Sequence, residues 1–274
     1  MKKILFGALC ASVLLASCSS KEEGTINGVF SVSETQKVKF SSGNFQYEKS
    51  TKTCKFADHQ WDVVLGDKGY GSDTYEKAEV LDMFSWGTGD NPRIESLKPE
   101  STFTDWGTNK IVNGGNDPWR TLTSEEWVFL LQKRANALSL LAYGMVDNSQ
   151  GIILLPDDWK LPEGAKFASL ADTAKNVGGD IKINKMPREA DLTKLNAYSV
   201  ADWAKMENAG AVFIPFTRWY SNNETPVYGY YWTADGKQMY FQHNTIYAKG
   251  TSDCTGRQRG DYYYKAVRLV KDVK

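Results

Sequence analysis

A chain of 274 residues, 41% hydrophobic and 13% aromatic, holds ample apolar material for a buried core, which argues against disorder. Its 33 basic residues are balanced by 33 acidic ones, so it lacks the clustered excess of Lys and Arg that would release counterions from a phosphate backbone, and nucleic acid is excluded as an expected partner. The length suits one large domain or two small ones.

At the start of the chain, Lys2 and Lys3 precede an apolar stretch from Ile4 to Leu15, and small residues lead to Cys18. This is the layout of a secretory signal peptide. The 12 residues from Ile4 to Leu15 are too few to span a bilayer as a helix. Residues 18–27 then read as a polar tether, because Ser19-Ser20-Lys21-Glu22-Glu23 offers nothing to a core.

From Gly28 the pattern is strand-like: Val29, Phe30 and Val32, then Val38-Lys39-Phe40, a Ser-Ser-Gly-Asn turn, Phe45-Gln46-Tyr47, and Cys54-Lys55-Phe56 after a polar turn. Residues 66 to 118 change character, with many Gly, Asp, Asn and Pro residues around Phe84, Trp86 and Trp106, and read as long loops pinned by aromatics. Thr123 and Glu126 have the spacing of a capping box, and Trp127, Leu130, Leu131 and Arg134 follow with helical period. Gly151-Ile152-Ile153-Leu154-Leu155 and Ala211-Val212-Phe213-Ile214 are unbroken apolar runs stopped by proline, the pattern of strands buried on both faces. A second helix is predicted over Ser199 to Asn208, and strands over Tyr228 to Thr233, Gln238 to His243 and Tyr263 to Val270. No solenoid or propeller repeat is present in the sequence.

Leu15-Ala16-Ser17-Cys18 resembles the lipobox of bacterial lipoproteins, L-[AS]-[GAS]-C. The resemblance implies that lipid is attached to Cys18, each buried methylene contributing about 0.8 kcal/mol of anchorage, and that residues 1–17 are removed. Removing 17 of the 274 residues leaves 257, and losing Lys2 and Lys3 brings the net charge to −2. The lysine-acidic run after Cys18 is similar to that which sends lipoproteins of the Bacteroidetes to the outer face of the outer membrane, implying a lipid-anchored, surface-exposed protein. Cys10 leaves with the signal, so Cys54 and Cys254 remain, either as one disulfide closing a long loop or as two unrelated thiols.

Trp119-Arg120-Thr121-Leu122-Thr123-Ser124-Glu125-Glu126-Trp127 resembles the W-R-x-L-T-x-x-E-W segment of Bacteroidetes surface proteins with a C-type-lectin-like domain. The stretches from Gly151 to Trp159, Gly210 to Pro215, Gly229 to Thr233 and Ala266 to Val270 keep that family's order, and Phe40 to Tyr47 fits its N-terminal part. The resemblance implies an α+β C-type-lectin-like fold over residues 28–274, with short antiparallel strands, two main helices and long aromatic-rich loops behind an N-terminal strand region. Formylglycine-generating enzymes and the variable proteins of diversity-generating retroelements are related in fold, and in them the counterpart of Tyr228 to Val270 faces the ligand.

Fold alone does not carry function. An oxidase of the formylglycine type needs paired copper-binding thiolates near its C-terminal end, where only Cys254 stands. His59 and His243 lie far apart and outside any metal-ligand spacing. The E-P-N or Q-P-D and W-N-D patterns of calcium-dependent sugar binding are absent from the sequence, and Asn116-Asp117-Pro118 and Pro156-Asp157-Asp158 read as turns. The glycines at 66–71 and 87–89 lack the Lys of a phosphate loop, and no nucleophile elbow occurs. No metal or cofactor is therefore expected.

What remains is an aromatic and charged C-terminal surface: Trp219, Tyr220, Asn222, Asn223, Tyr228, Tyr247, Arg257, Arg259, Asp261 and Tyr262, placed in or beside turns. Tyr, Trp and Arg dominate binding hot spots. Trp232, Tyr240 and Phe241 are assigned to the core. The expected function is non-enzymatic recognition of a protein or glycan ligand at the cell surface; the alternatives are a structural subunit of an assembly such as a fimbria, and the oxidase.

Overall fold

The apolar runs of the sequence lie where one sheet separates two cores. The computed structural model describes residues 22–64, 77–93, 102–116, 118–177, 180–183, 194–219, 226–242, 245–247 and 264–274. In chain order the strands are β1 (Phe30–Ser31), β2 (Lys37–Phe40), β3 (Phe45–Glu48), β4 (Thr53–Phe56), β5 (Val80–Leu81), β6 (Arg120–Thr121), β7 (Leu141–Val146), β8 (Ser149–Leu154) and β9 (Ala174–Val177). Then follow β10 (Asp180–Ile183), β11 (Ala197–Tyr198), β12 (Val212–Pro215), β13 (Arg218–Trp219), β14 (Pro226–Trp232), β15 (Gln238–Gln242), β16 (Thr245–Tyr247) and β17 (Leu269–Asp272). The α-helices that lie wholly within the described residues are short, α1 (Ser124–Val128) and α2 (Val200–Asn208). The protein is thus mixed α+β, mostly strands in antiparallel sheets.

Among the described residues four sheets form, with orders β1-β2-β17-β6, β13-β14-β15-β16-β10-β9, β11-β7-β8-β12 and β4-β3-β5. Only β11 with β7 is parallel among these strand pairs. In the sheet of β7, β8 and β12 alternate side chains feed different cores. Leu141, Tyr143, Ile152, Leu154, Val212 and Ile214 join the largest cluster, while Ala142, Val146, Ile153, Leu155 and Phe213 join a second beneath α2, against Trp203 and Met206. A strand with core on both sides cannot alternate with polar residues, which explains the unbroken runs. A third cluster gathers Phe45, Phe56, Phe84, Trp106, Trp119 and Trp232 under the loop-rich region.

The W-R-x-L-T-x-x-E-W segment is consumed by structure. Thr123 Oγ1 accepts from the Glu126 N–H at 3.3 Å, and Glu126 Oε2 accepts from the Thr123 N–H at 2.8 Å, closing the expected capping box of α1. Arg120 donates to both oxygens of Glu126, at 2.9 and 2.7 Å, and to Asp272 Oδ1 on β17 at 2.9 and 2.7 Å. Ser124 donates its N–H and hydroxyl to the two oxygens of Asp235, at 2.8 and 2.6 Å, which ties the β14–β15 turn to the start of α1. Trp127 is buried in the largest core. Arg134 closes the turn that follows: buried, it donates to the carbonyls of Leu130 and Leu155 and to Asp157, which also accepts from Ser31. Asp157 therefore belongs to a structural junction.

Two boundaries differ from the sequence reading. Within residues 22–27, read as tether, Thr25 and Ile26 are packed: Thr25 bridges Ser41, and Ile26 is fully buried with its N–H donated to the Phe40 carbonyl at 2.9 Å. Burying one such side chain contributes about 1.5–3 kcal/mol, enough to draw this polar-looking stretch into the fold. The last strand begins at Leu269 rather than Tyr263; from Tyr264 to Arg268 the chain makes isolated bridges, Lys265 to Phe84 and Ala266 to Tyr231, and the Val267 carbonyl accepts from the Phe45 N–H at 2.9 Å.

Candidate functional site

The six-stranded sheet has two unlike faces. On one, Tyr231, Met239, Phe241, Ile246, Ile181 and Ile183 enter the largest core. Gly229 opposes Phe241, and a Cβ there would sit 2.1 Å from the Phe241 ring, so only glycine lets that ring lie against the strand. Strand residues alternate between faces; Tyr228, Tyr230, Tyr240, Tyr247, Lys182 and Asp180 consequently occupy the other.

There the tyrosines form a row across three strands. Tyr230 is paired directly with Tyr240, and Tyr240 with Tyr247. Their ring centres are 5.1 and 4.4 Å apart, with interplanar angles of 9° and 7°. Tyr228 extends the row, 5.8 Å from Tyr230 at a 35° tilt. At the far end the Lys182 ammonium lies 4.5 Å from the centre of the Tyr247 ring and 3.4 Å from its hydroxyl, and pairs with Asp180 at 3.4 Å. Tyr228, Tyr240 and Tyr247 are partly exposed and Tyr230 is buried between them.

Stacking of this kind uses up ring faces and leaves ring edges and phenolic oxygens to meet a ligand. Burial holds the Tyr240 phenol well above its ordinary range, reinforced by the neighbouring Tyr247 and Tyr230 phenols and by a hydrogen bond with Tyr247. Tyr240 is thus neutral at physiological pH, and its hydroxyl both donates and accepts. The row offers a rigid amphipathic contact at small entropy cost.

Of the residues named from the sequence, Tyr228 and Tyr247 come together here. The backbone of Trp219 lies in β13, opposite Pro226. Tyr220, Asn222, Asn223, Arg257, Arg259, Asp261 and Tyr262 lie outside the described residues, as do Cys18, His243 and Cys254. Tyr240, assigned to the core from its aromatic character, faces outward instead; its neighbours Met239 and Phe241 take the core side. Trp232 and Phe241 are core. Tyr230 and Lys182 were missed: Tyr228-x-Tyr230 carries a period-two signal, but nothing local announces Lys182.

The other candidate chemistry resolves into packing. Cys54 is a free, buried thiol on β4, pushed up to about 11 by burial, the opposite of an activated thiolate. His59 stacks on Trp61 with centres 4.7 Å apart and its Nδ1 is 3.2 Å from Asp62 Oδ2, exposed to solvent. Among the described residues no three His, Cys, Asp or Glu side chains gather as metal ligands, and no helix is long and apolar enough to cross a membrane. No family model, curated protein or solved structure matches the chain.

Proposed function

We propose that this chain is a non-enzymatic binding lipoprotein of the outer membrane, anchored through Cys18 and displayed at the cell surface. Its C-type-lectin-like domain recognises a glycan or protein ligand through the Tyr228, Tyr230, Tyr240 and Tyr247 row, assisted by Trp219, Arg257 and Arg259. The observation that carries this reading is the stacked, partly exposed row on one face of a sheet whose other face is core. Tyr228, Tyr240 and Tyr247 keep part of their surface exposed, and Tyr is among the commonest anchors of recognition surfaces.

The test is a glycan array and a pull-down with defined host proteins, using immobilised residues 22–274. A ligand found this way loses about 30-fold in affinity, near 2 kcal/mol, in Tyr228→Ala and Tyr247→Ala. Equal affinity of both variants and the parent overturns the site. Mass spectrometry of the chain expressed in a bacterial host checks the anchor: an unmodified Cys18 overturns it.

A further inference from the structure

The chain enters the fold at an ion-paired point. Glu22 Oε2 accepts from Lys39 Nζ at 3.2 Å and Glu22 Oε1 from Lys271 Nζ at 3.3 Å, the two lysines being directly opposed on β2 and β17. Lys271 is buried, its ammonium 4.6 Å from the centre of the Trp119 ring. The Glu22 carbonyl accepts from the Thr25 N–H at 3.1 Å and from its hydroxyl at 2.8 Å. Glu22 is thereby fixed on the domain from two directions.

This has a geometric consequence for Cys18. Consecutive Cα atoms are about 3.8 Å apart, so the four steps from Cys18 to Glu22 reach at most about 15 Å. A tether running free to Gly28 would reach about 38 Å. The headgroup layer beyond the hydrocarbon is itself about 5–7 Å thick on each side. A lipid on Cys18 thus keeps the Glu22 end of the domain within about 10 Å of the bilayer surface.

The surface at that end suits such a neighbour. A groove of about 420 Å³ is lined by Glu22, Lys39, Pro118, Lys271, Asp272, Val273 and Lys274. Val273 is one of six exposed large apolar side chains among the described residues, and Val112 is the most exposed of them, at 64%. Val112 precedes Asn113, whose carbonyl presses on Gly24 so closely that a Cβ there would sit 2.6 Å away. The exposed Val112 and Val273, with the exposed Lys274 next to Val273, match a boundary at which apolar side chains meet the acyl edge and an ammonium group meets phosphate.

We propose that this end of the domain, held by the Glu22 clamp, rests against the phosphate-bearing headgroups of the bilayer, with Val112 and Val273 at the interface. The inference rests on the lipoprotein reading of Cys18. Its test uses the full acylated chain in vesicles of phosphatidylethanolamine and phosphatidylglycerol that carry a nitroxide-labelled headgroup lipid, with a fluorescent side chain in place of Val273. At least about half of the fluorescence is quenched in the parent, and a flexible insertion of about 20 Gly and Ser residues between Ser20 and Lys21 relieves most of it. Lipid on Cys18 with an unquenched probe, or quenching indifferent to the insertion, overturns this inference alone. An unacylated Cys18 overturns it together with the lipoprotein reading.

Discussion

The two faces of the six-stranded sheet are built from similar residues and do opposite things. Phe241 and Tyr231 lie 6.1 Å apart on the inner face, and the Tyr231 hydroxyl donates to the Pro215 carbonyl at 2.8 Å, so that its one polar atom is satisfied inside the core. On the outer face Tyr240 and Tyr247 stack more closely, at 4.4 Å, yet remain partly exposed. Aromatic contact alone therefore does not mark a core. What distinguishes the inner face is that each ring is also covered from other elements.

The largest expected effect tests that distinction. Phe241→Ala removes a fully buried ring that packs on Phe216 and Tyr231 and seats over Gly229. It should cost about 3–5 kcal/mol in denaturant unfolding, as should Trp127→Ala. Tyr247→Ala, which keeps the inner face intact, should cost about 1 kcal/mol. Equal losses at Phe241 and Tyr247 would make the outer row part of the core.

Next in size is ligand affinity. The loss of about 2 kcal/mol proposed for Tyr228→Ala and Tyr247→Ala has its counterpart in Met239→Leu, a near-isosteric change on the inner face that should leave affinity within about twofold. Isothermal titration of all three with the array-identified ligand would separate the faces by function as unfolding separates them by stability.

How far these faces could be read from the sequence depended on how local each signal was. The α1 start was legible because Thr123 and Glu126 satisfy one another within one turn. The runs of β8 and β12 were legible because burial on two sides leaves no polar position. Strands β9 and β10 were not, since Ala174–Val177 is mostly exposed and β10 finds its inner partner in the distant β16. Lys182 was hidden for the same reason. In Gln238-Met239-Tyr240-Phe241-Gln242 the alternation was present, but three adjacent apolar or aromatic residues blurred which belonged outside. Arg268 gave no sign either: lying between Val267 and Leu269, it is wholly buried and donates to the Ser41 carbonyl at 2.8 Å and Gln60 Oε1 at 3.0 Å. Burial brings its guanidinium down to about 10.

A smaller effect concerns how the sheet is fastened to α1. At Asp235, burial raises the carboxyl pKa, but hydrogen bonds from the Ser124 side chain and backbone outweigh it, so the net shift is downward. Asp272 is likewise lowered, first by its hydrogen bond from Arg120. A folded-state pKa below the unfolded value, near 3.9, gives stability that is present above that value and lost as pH falls through the folded one. Denaturant midpoints should therefore be flat from about pH 5 to 8 and fall below about pH 4. Asp235→Asn should remove about 1–2 kcal/mol at neutral pH and flatten part of that acid limb. An unchanged acid limb would place the lability elsewhere.

The smallest expected change isolates what the outer row contributes through its oxygens. Tyr240→Phe keeps the ring, and with it the stacking on Tyr230 and Tyr247, but removes the hydroxyl that hydrogen-bonds with Tyr247, on a residue that is partly exposed. Stability should shift by less than about 0.5 kcal/mol, because a hydroxyl lost from the folded state is lost from the unfolded state as well. Ligand affinity has a different reference. If the ligand meets ring edges and phenolic oxygens, as stacking of the ring faces requires, deleting one hydroxyl leaves a ligand group without its partner and costs about 0.5–1.5 kcal/mol. Tyr240→Phe with unaltered affinity, beside a Tyr240→Ala that binds weakly, would show that the ligand reads the row as an apolar ridge; a loss in both would show that it reads the hydroxyls.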